Sequence, residues 1–219
     1  MESKFSLAVA GFRFPAIGFC ALVIMFLVGG CIKEKEKPLP IFGEREVVGT
    51  DTVFHTIGPF QFVDQDSAIV TNETFKDKIY VADFFFTSCR TICPIMKTQM
   101  LRVYDTLEND PEVLILSHTI DPEYDTVGLL HDFAERLGVK SSRWHFVTGN
   151  EDSIFNIAQK SYFATTMKDS SDPDGLIHSG AFLLIDKQRR IRGKYDGTQV
   201  DDVNRLIADI QRLKKEYAK

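Results

Sequence analysis

The sequence contains no concentrated basic tract, no internal repeat and only four cysteines. Its 26 Lys and Arg residues are outnumbered by 31 Asp and Glu residues, which gives a net charge of -5. There is thus no electrostatic reason to expect nucleic-acid binding. With 44% hydrophobic and 26% charged residues, the composition excludes both general disorder and a protein with many membrane spans. The 219 residues leave room for one ordinary domain.

The N-terminus has the pattern of an export signal. Lys4 and Arg13 precede an uncharged stretch over residues 14–32, which is the order of the charged and apolar segments of a signal peptide. These 19 residues also reach the length of about 18 that a membrane-spanning helix needs. An uncleaved membrane anchor is therefore the alternative. Either segment carries the rest of the chain across a membrane, to the side where disulfides persist.

The end of this stretch favours a cleaved signal. Val28, Gly29 and Gly30 stand directly before Cys31, in a pattern that resembles the lipobox at which bacterial lipoproteins are cleaved and acylated. We predict a signal peptide over residues 1–30 and a lipid on Cys31. The predicted location is the periplasmic side of the bacterial cell envelope, with the protein anchored in the membrane.

A short linker follows the predicted signal. Residues 33–37 alternate lysine and glutamate, and prolines follow at Pro38 and Pro40. This stretch has no apolar periodicity and is typical of a solvated tether. We predict a tether over residues 31–52 and one folded domain over residues 53–219.

Strand and helix patterns alternate through the predicted domain. Residues 79–86 are β-branched or aromatic almost throughout, which is typical of a central strand covered on both faces. Apolar residues then repeat at helical spacing after Pro94. The later predicted elements are strands over 113–117 and 144–147, a hairpin over 181–185 and 191–195, and helices over 127–137 and 200–217. This order predicts an α/β fold of the thioredoxin type, with a central mixed sheet flanked by helices.

Two cysteines lie between the predicted central strand and the helix that follows it. We expect Cys89 and Cys93 at the carboxyl edge of the sheet, where open α/β folds place their sites. The start of the helix and the charge of Arg90 should lower the pKa of both thiols. Their spacing of four residues suits a disulfide or the chelation of one ion. A structural disulfide and a dithiol oxidoreductase are both alternatives to a site for a soft metal cation. The metal site is favoured because the loop is short for a structural bridge, and because oxidoreductases usually have two intervening residues instead of three.

A metal ion held by two thiolates needs a further ligand. Of the five histidines, His178 is best placed, in the loop that enters the strand starting at Ala181. That loop packs across from the cysteine pair in a thioredoxin-like domain. His118 ends a strand at the same sheet edge and is the alternative ligand, while a structural role for His178 also stays open. Two thiolates and one imidazole suit copper better than zinc, because structural zinc sites normally have four protein ligands.

Four segments of the chain resemble the SCO/SenC family. They are residues 84–94, residues 121–126, His178 with Ser179, and residues 193–197. The resemblance implies a thioredoxin fold and one copper ion bound by Cys89, Cys93 and His178, with the two cysteines as a redox-active pair. It further implies a metallochaperone, and not primarily an enzyme, that delivers copper to the CuA centre of cytochrome c oxidase or reduces the thiols of that centre.

The same resemblance implies a partner and supporting residues. The expected partner is the CuA-bearing subunit of cytochrome c oxidase or another envelope protein with copper or thiol chemistry. Asp121 is a candidate to support the ligands, or else a turn residue. Arg90 and Ile177 stand where the family commonly has proline and aspartate, and the change at Ile177 removes a group that would orient the imidazole. Thiol reduction of an envelope partner and a copper or redox sensor are the alternative functions.

Overall fold

A seven-stranded mixed sheet lies at the centre of the computed structural model, which describes residues 37–107, 109–168 and 176–218. Two short hairpins and four α-helices complete the described part of the chain. The strands are β1 (Arg45–Val48), β2 (Asp51–Phe54), β3 (Gln61–Asp64), β4 (Ile69–Thr71), β5 (Ile79–Phe85), β6 (Val113–Thr119), β7 (Trp144–Thr148), β8 (Thr166–Lys168), β9 (Leu176–His178), β10 (Ala181–Ile185) and β11 (Ile191–Asp196). The helices are α1 (Cys93–Thr106), α2 (Val127–Leu137), α3 (Glu151–Lys160) and α4 (Val200–Tyr217), and a 3-10 turn covers Asn72–Phe75.

The order of the strands places β5 near the middle of the sheet. The order is β11, β10, β5, β6, β7, β3, β4. The strands β5, β6 and β7 are parallel, whereas β10, β11, β3 and β4 pair antiparallel with their neighbours. All seven residues of β5 are buried, as expected for a strand covered on both faces. The predicted α/β fold of the thioredoxin type is confirmed by this mixed sheet and its flanking helices.

Helix α1 packs on the sheet through one apolar face. It begins at Cys93, and Pro94 occupies its first turn, where a proline removes no helical hydrogen bond. Met96, Met100 and Val103 are fully buried, which confirms the predicted apolar face. The packing of α1 therefore fixes the position of Cys93 at the edge of the sheet.

The folded unit begins earlier than the sequence predicts. Leu39 is only 5% exposed; its amide donates to Glu216 Oε1 at 2.6 Å, and Arg192 Nη2 donates to its carbonyl at 2.8 Å. The strands β1 and β2 form an antiparallel hairpin in the same region. The compact unit spans Pro38–Lys219, so residues 38–52 of the predicted tether lie within it. The reason is that two side chains far along the sequence hold the backbone of the predicted tether.

The N-terminal predictions fall outside the part of the chain that the structure describes. The signal peptide over residues 1–30 and the lipid on Cys31 lie there, and they stay predictions. None of the described helices is long and apolar enough to cross a membrane.

Candidate metal centre

Cys89 and Cys93 lie at the carboxyl edge of the sheet, where the sequence analysis placed them. Cys89 follows β5 in a turn in which its amide donates to the Phe86 carbonyl at 3.4 Å, and Cys93 is the first residue of α1. Both are free thiols, and they are 8% and 4% exposed. The turn thus holds two sulfur atoms just below the surface.

His178 reaches the cysteines from a separate sheet. It is the last residue of β9, which pairs with β8 so that Thr166 is opposite His178, and it lies on a short strand rather than in the predicted loop. His178 Nε2 lies 3.0 Å from Cys93 Sγ, and His178 Nδ1 lies 3.3 Å from the Ser179 carbonyl oxygen. Because a carbonyl oxygen can only accept, the proton is assigned to Nδ1. The lone pair of Nε2 then faces the cysteines.

Cys89, Cys93 and His178 form one cluster. One Sγ from each cysteine and one ring nitrogen of His178 all lie within 4.8 Å of one another. Atoms that bind the same ion at about 2.0–2.3 Å are at most about 4.6 Å apart, so these side chains need to move little to share an ion. Within the described ranges, no other group of three or more such residues is close enough to do so. The arrangement can hold one metal ion with three ligands.

The two thiols share a hydrogen bond that sets their charge. The hydrogen bond from Cys93 is the main cause that lowers the pKa of Cys89 to about 3, against the opposing effect of burial. A smaller contribution in the same direction comes from Thr91, whose hydroxyl lies 3.6 Å from Cys89 Sγ. The hydrogen bond to Cys89, together with burial, raises the pKa of Cys93. The expectation that both pKa values are lowered is therefore right for Cys89 only, and the pair holds one proton at neutral pH.

The other four histidines lie in different surroundings. His118, the alternative ligand, is fully buried, and its ring stacks on Phe84 with the centroids 4.9 Å apart. Neither ring nitrogen of His118 has a hydrogen-bond partner among the described residues. In each of the other three, one ring nitrogen lies within hydrogen-bond distance of an oxygen atom. These pairs are His55 Nε2 and the Ser161 carbonyl (2.8 Å), His131 Nδ1 and Asp66 Oδ1 (3.1 Å), and His145 Nδ1 and Asp64 Oδ2 (2.9 Å). The structure therefore brings His178, and not His118, to the cysteines.

Acid should destabilise the protein through His118. Burial lowers the pKa of His118 from 6.5 to about 4, so between these pH values the unfolded chain binds a proton that the folded chain excludes. The contribution to stability is complete above about pH 6.5 and falls by roughly 3 kcal/mol as the pH drops to about 4. Leucine has a similar volume and no polar atoms, so His118→Leu should remove this dependence. Urea unfolding of both proteins on either side of this pH range measures the effect, and an equal loss in the variant would contradict it.

A buried carboxylate that the sequence analysis did not single out supports the cysteine turn. Asp125 is fully buried and accepts hydrogen bonds from the Thr87 amide at 3.1 Å and from the hydroxyls of Thr87 and Thr119. Burial raises its pKa. Asp121, the predicted supporting residue, makes the turn before it, where the Asp121 carbonyl accepts the Asp125 amide at 2.8 Å. Asp125 thus ties the segment before Cys89 to the end of β6.

Replacing Asp125 by alanine should weaken both the fold and the cluster. Three donors lose their charged acceptor, so the free energy of unfolding should fall by about 3 kcal/mol. Metal affinity should fall about 10- to 100-fold, because the turn that carries Cys89 is no longer held. Urea unfolding and chelator competition measure the two effects. Glu123→Gln, an exposed change in the same loop, is the control; full affinity in Asp125→Ala would mean that the carboxylate serves the fold alone.

A buried ion pair lies below Cys93. Lys97 is 5% exposed, and its Nζ lies 2.9 Å from Asp83 Oδ2 and 4.0 Å from the centre of the Phe85 ring. Asp83 also accepts the hydroxyl of Ser117. The sequence carried a signal for this pair, since Asp83 interrupts an apolar strand and Lys97 follows Cys93 by one helical turn. The charge of Lys97 partly opposes the rise in the pKa of Cys93.

Comparison with family models establishes the relationship of this chain to known proteins. Residues 49–215, more than half of the chain, match the model described as SCO1/SenC. The chain belongs to the SCO1/SenC family. The family that the four sequence segments indicated is therefore confirmed.

SCO1/SenC relatives match most of the folded unit. The SCO1 protein homolog of Bacillus subtilis is 31% identical over 163 residues, which cover 74% of this chain and 84% of that protein. The match to the SCO2-like protein of Rickettsia prowazekii, at 29% identity, covers 61% of this chain and 65% of that protein, so the chain spans slightly less than two thirds of the second relative.

Solved SCO1/SenC structures share the architecture described above. A SCO1/SenC family lipoprotein from Bacillus anthracis is 28% identical, with a TM-score of 0.67, and the match covers 73% of this chain and 95% of that one. BsSco is 31% identical, with a TM-score of 0.64, and the match covers 72% of this chain and 92% of that one. It is described with a disulfide switch and as a member of the Sco family of cytochrome c oxidase assembly proteins. ScoI of Arabidopsis thaliana, solved with copper bound, is 25% identical, with a TM-score of 0.60, and the match covers 71% of this chain and 98% of that one.

Proposed function

We propose that this protein is an envelope-anchored copper metallochaperone. It binds one copper ion through Cys89, Cys93 and His178 and assists assembly of the CuA site of cytochrome c oxidase. The observation that carries the proposal is the cluster of two buried sulfur atoms and one imidazole nitrogen within 4.8 Å. Copper is the cargo of this site, so the site has to bind the ion and release it to a partner.

The donor set suits copper(I). Thiolates are soft ligands that select copper(I), and the pKa of about 3 makes Cys89 a thiolate at neutral pH. Only Cys93 has to lose a proton when the ion binds. Three ligands, rather than the four of a structural zinc site, leave room for a ligand from a partner, which can replace the donors of this chain one at a time. The likeness to the copper-bound ScoI of Arabidopsis thaliana supports this proposal.

The thiolate of Cys89 also favours a second candidate function, the reduction of a partner disulfide. Cys89 attacks one sulfur of that disulfide, which forms a mixed disulfide and releases the other partner sulfur as a thiolate. Cys93 then loses its proton and attacks Cys89 Sγ. A Cys89–Cys93 disulfide forms, the second partner thiolate leaves, and two electrons have passed to the partner. The likeness to BsSco, with its described disulfide switch, supports this candidate.

A copper titration followed by transfer tests the proposal. The reduced protein is titrated with copper(I) against a chromophoric chelator, and we expect one ion per chain. Mixing the loaded protein with a copper-free CuA domain should then move copper(I) to that domain, which metal analysis of the two separated proteins measures. A protein that takes up no copper(I), yet reduces the oxidised CuA domain, would exclude the chaperone and establish the second candidate.

The membrane anchor is part of the same proposal. It rests on Gly29, Gly30 and Cys31 at the end of the apolar run, and the likeness to a SCO1/SenC family lipoprotein from Bacillus anthracis supports it. Mass spectrometry of the native protein should find an acylated Cys31 at the N-terminus, and Cys31→Ala should leave the signal uncleaved. A native chain that still begins at Met1 would favour the spanning anchor.

A further inference from the structure

The chain enters the folded unit at the end opposite the metal cluster. Phe42 pairs with Ile191, the first residue of β11. Ile185 pairs with both Ile191 and Tyr80, and Tyr80 lies at the start of β5. Cys89 follows the other end of β5, and the seven residues of that strand span about 20 Å. The N-terminal segment and the cluster therefore lie at opposite ends of the central strand.

Only a short segment separates the folded unit from the proposed lipid. Glu216 and Arg192 hold the backbone of Leu39 at 2.6 and 2.8 Å. Residues 32–37 are then the only ones between Cys31 and the compact unit that starts at Pro38. Seven residue steps span at most about 25 Å. A lipid on Cys31 would thus keep this end of the unit close to the membrane surface.

This end of the folded unit, which we call the basic end, carries an excess of positive charge. It comprises the last turn of α4, the turn between β10 and β11, and the segment before β6. Its described charged residues are Lys187, Arg189, Arg190, Arg192, Lys214 and Lys215, against Asp110, Glu112, Asp186 and Glu216. Arg189 and Lys215 are exposed, so positive charge lies at the surface.

The end that carries the cluster has the opposite charge. Gly197, just before α4, donates to the Gly180 carbonyl at 2.6 Å, two residues after His178, so α4 runs from the cluster end to the basic end. The 18 residues of α4 span about 27 Å. Its first turn is acidic and its last turn is basic, with Asp201 and Asp202 followed by Lys214 and Lys215. Acidic side chains also line a cleft at the carboxyl edge of the sheet, namely Glu123, Glu151 and Asp152.

The basic end contains a cleft that can take an anionic headgroup. Its volume is about 290 Å³. Its lining includes Glu112, Lys187, Lys214, Lys215 and Tyr217. Lys187 Nζ lies 3.1 Å from Glu112 and 5.6 Å from the centre of the Tyr217 ring. Lys187 pairs with Glu112 and Lys214 pairs with Asp110, so the positive charge that can attract an anion such as a phosphate group comes mainly from Lys215.

We propose that the basic end binds the headgroups of anionic phospholipids and so holds the metal cluster facing away from the membrane. The inference rests on the proposed anchor, because the short segment brings the basic end to the headgroups. Each lysine or arginine near an anionic surface strengthens binding about fivefold. The acidic end is repelled by the same surface, so one orientation is favoured.

Lysine acylation of the full chain in vesicles tests this orientation. The protein is reconstituted in phosphatidylcholine vesicles with and without phosphatidylglycerol, treated with a soluble amine-reactive reagent, and analysed by mass spectrometry of its peptides. Lys215 should react at least about fivefold more slowly in the anionic vesicles, and high salt should restore its rate. Lys194, which is exposed beside Ser179 near the cluster end, should react equally in both. Equal rates for Lys215 in the two kinds of vesicle would overturn the proposal.

Two charge-matched variants sharpen the test. Lys187→Gln/Arg189→Asn removes two positive charges from the basic end, and asparagine suits the positive φ of 62° at position 189. Lys194→Gln/Arg205→Gln removes two charges elsewhere. The first variant should bind the anionic surface about 25-fold more weakly and lose the protection of Lys215, and the second should keep it. Flotation with neutral vesicles tests the lipid anchor by itself, and copper titration tests the metal site by itself. A missing anchor or a missing metal site can therefore be told apart from a missing protection of Lys215.

Discussion

The reduced protein should bind one copper(I) ion per chain, and the oxidised protein, with a Cys89–Cys93 disulfide, should bind none. The disulfide removes both thiolates, and the remaining imidazole alone is a weak ligand for copper(I). Cys89→Ser and Cys93→Ser should each lower the affinity by more than about 100-fold, because a lost ligand costs more than a lost supporting residue. Competition with a copper(I) chelator measures the affinity, and the mass added by thiol alkylation reports the redox state of each sample.

The chain offers a matched control for these substitutions. Ser88→Ala changes an exposed side chain directly beside Cys89, and it should leave copper binding unchanged. Equal uptake of copper(I) by the bridged and reduced proteins would mean that the cysteines are not the ligands, and with that result the proposed chaperone function would fail.

His178→Ala should leave a folded protein that binds copper poorly. His178 is 7% exposed and packs edge-on against Phe86, so its truncation should lower the free energy of unfolding by about 1 kcal/mol. The affinity should fall by more than about 100-fold, which exceeds the usual effect of a supporting residue. The imidazole nitrogen signal should also disappear from the electron paramagnetic resonance spectrum of the copper(II) form. Urea unfolding and chelator competition give the two magnitudes.

His118→Leu is the control for this variant. It removes the other histidine that the sequence placed at this sheet edge, yet its ring lies among aromatic side chains. Copper affinity and the nitrogen signal should both be retained. If His118→Leu abolished binding while His178→Ala bound normally, the third ligand would be misassigned.

The sequence predicts well those elements whose pattern is local. Residues 79–86 lack polar alternation, and the apolar face after Pro94 repeats at helical spacing, so β5 and α1 follow from short stretches of sequence. The placement of Cys89 and Cys93 follows from these two elements alone. The inclusion of Leu39 in the folded unit does not follow from local pattern, because Arg192 and Glu216, which hold its backbone, lie about 150 residues and more further along the chain.

The site is predicted less completely than the fold. The predicted order of strands places both His118 and His178 at the carboxyl edge of the sheet. Only the packing of β6 shows that the His118 ring points into the core. Asp125 stands beside other acidic residues in the segment 121–126, and nothing local distinguishes it from Asp121. The difference is burial, since Asp125 is enclosed and accepts hydrogen bonds from the hydroxyls of Thr87, just after β5, and Thr119, at the end of β6. Burial of this kind arises only when distant elements pack together.

The three proposed ligands come from two separate parts of the fold, the turn and helix that follow β5 and the β8–β9 hairpin, and this has a thermodynamic consequence. Cys93 and His178 are 85 residues apart, so an ion shared by them cross-links the main sheet to the small β8–β9 hairpin. A ligand that binds only the folded chain adds about 4 kcal/mol to the free energy of unfolding when its concentration is 1,000 times its dissociation constant. Loaded and empty forms should therefore melt at different temperatures. Delivery of the cargo leaves behind the less stable form of the chaperone.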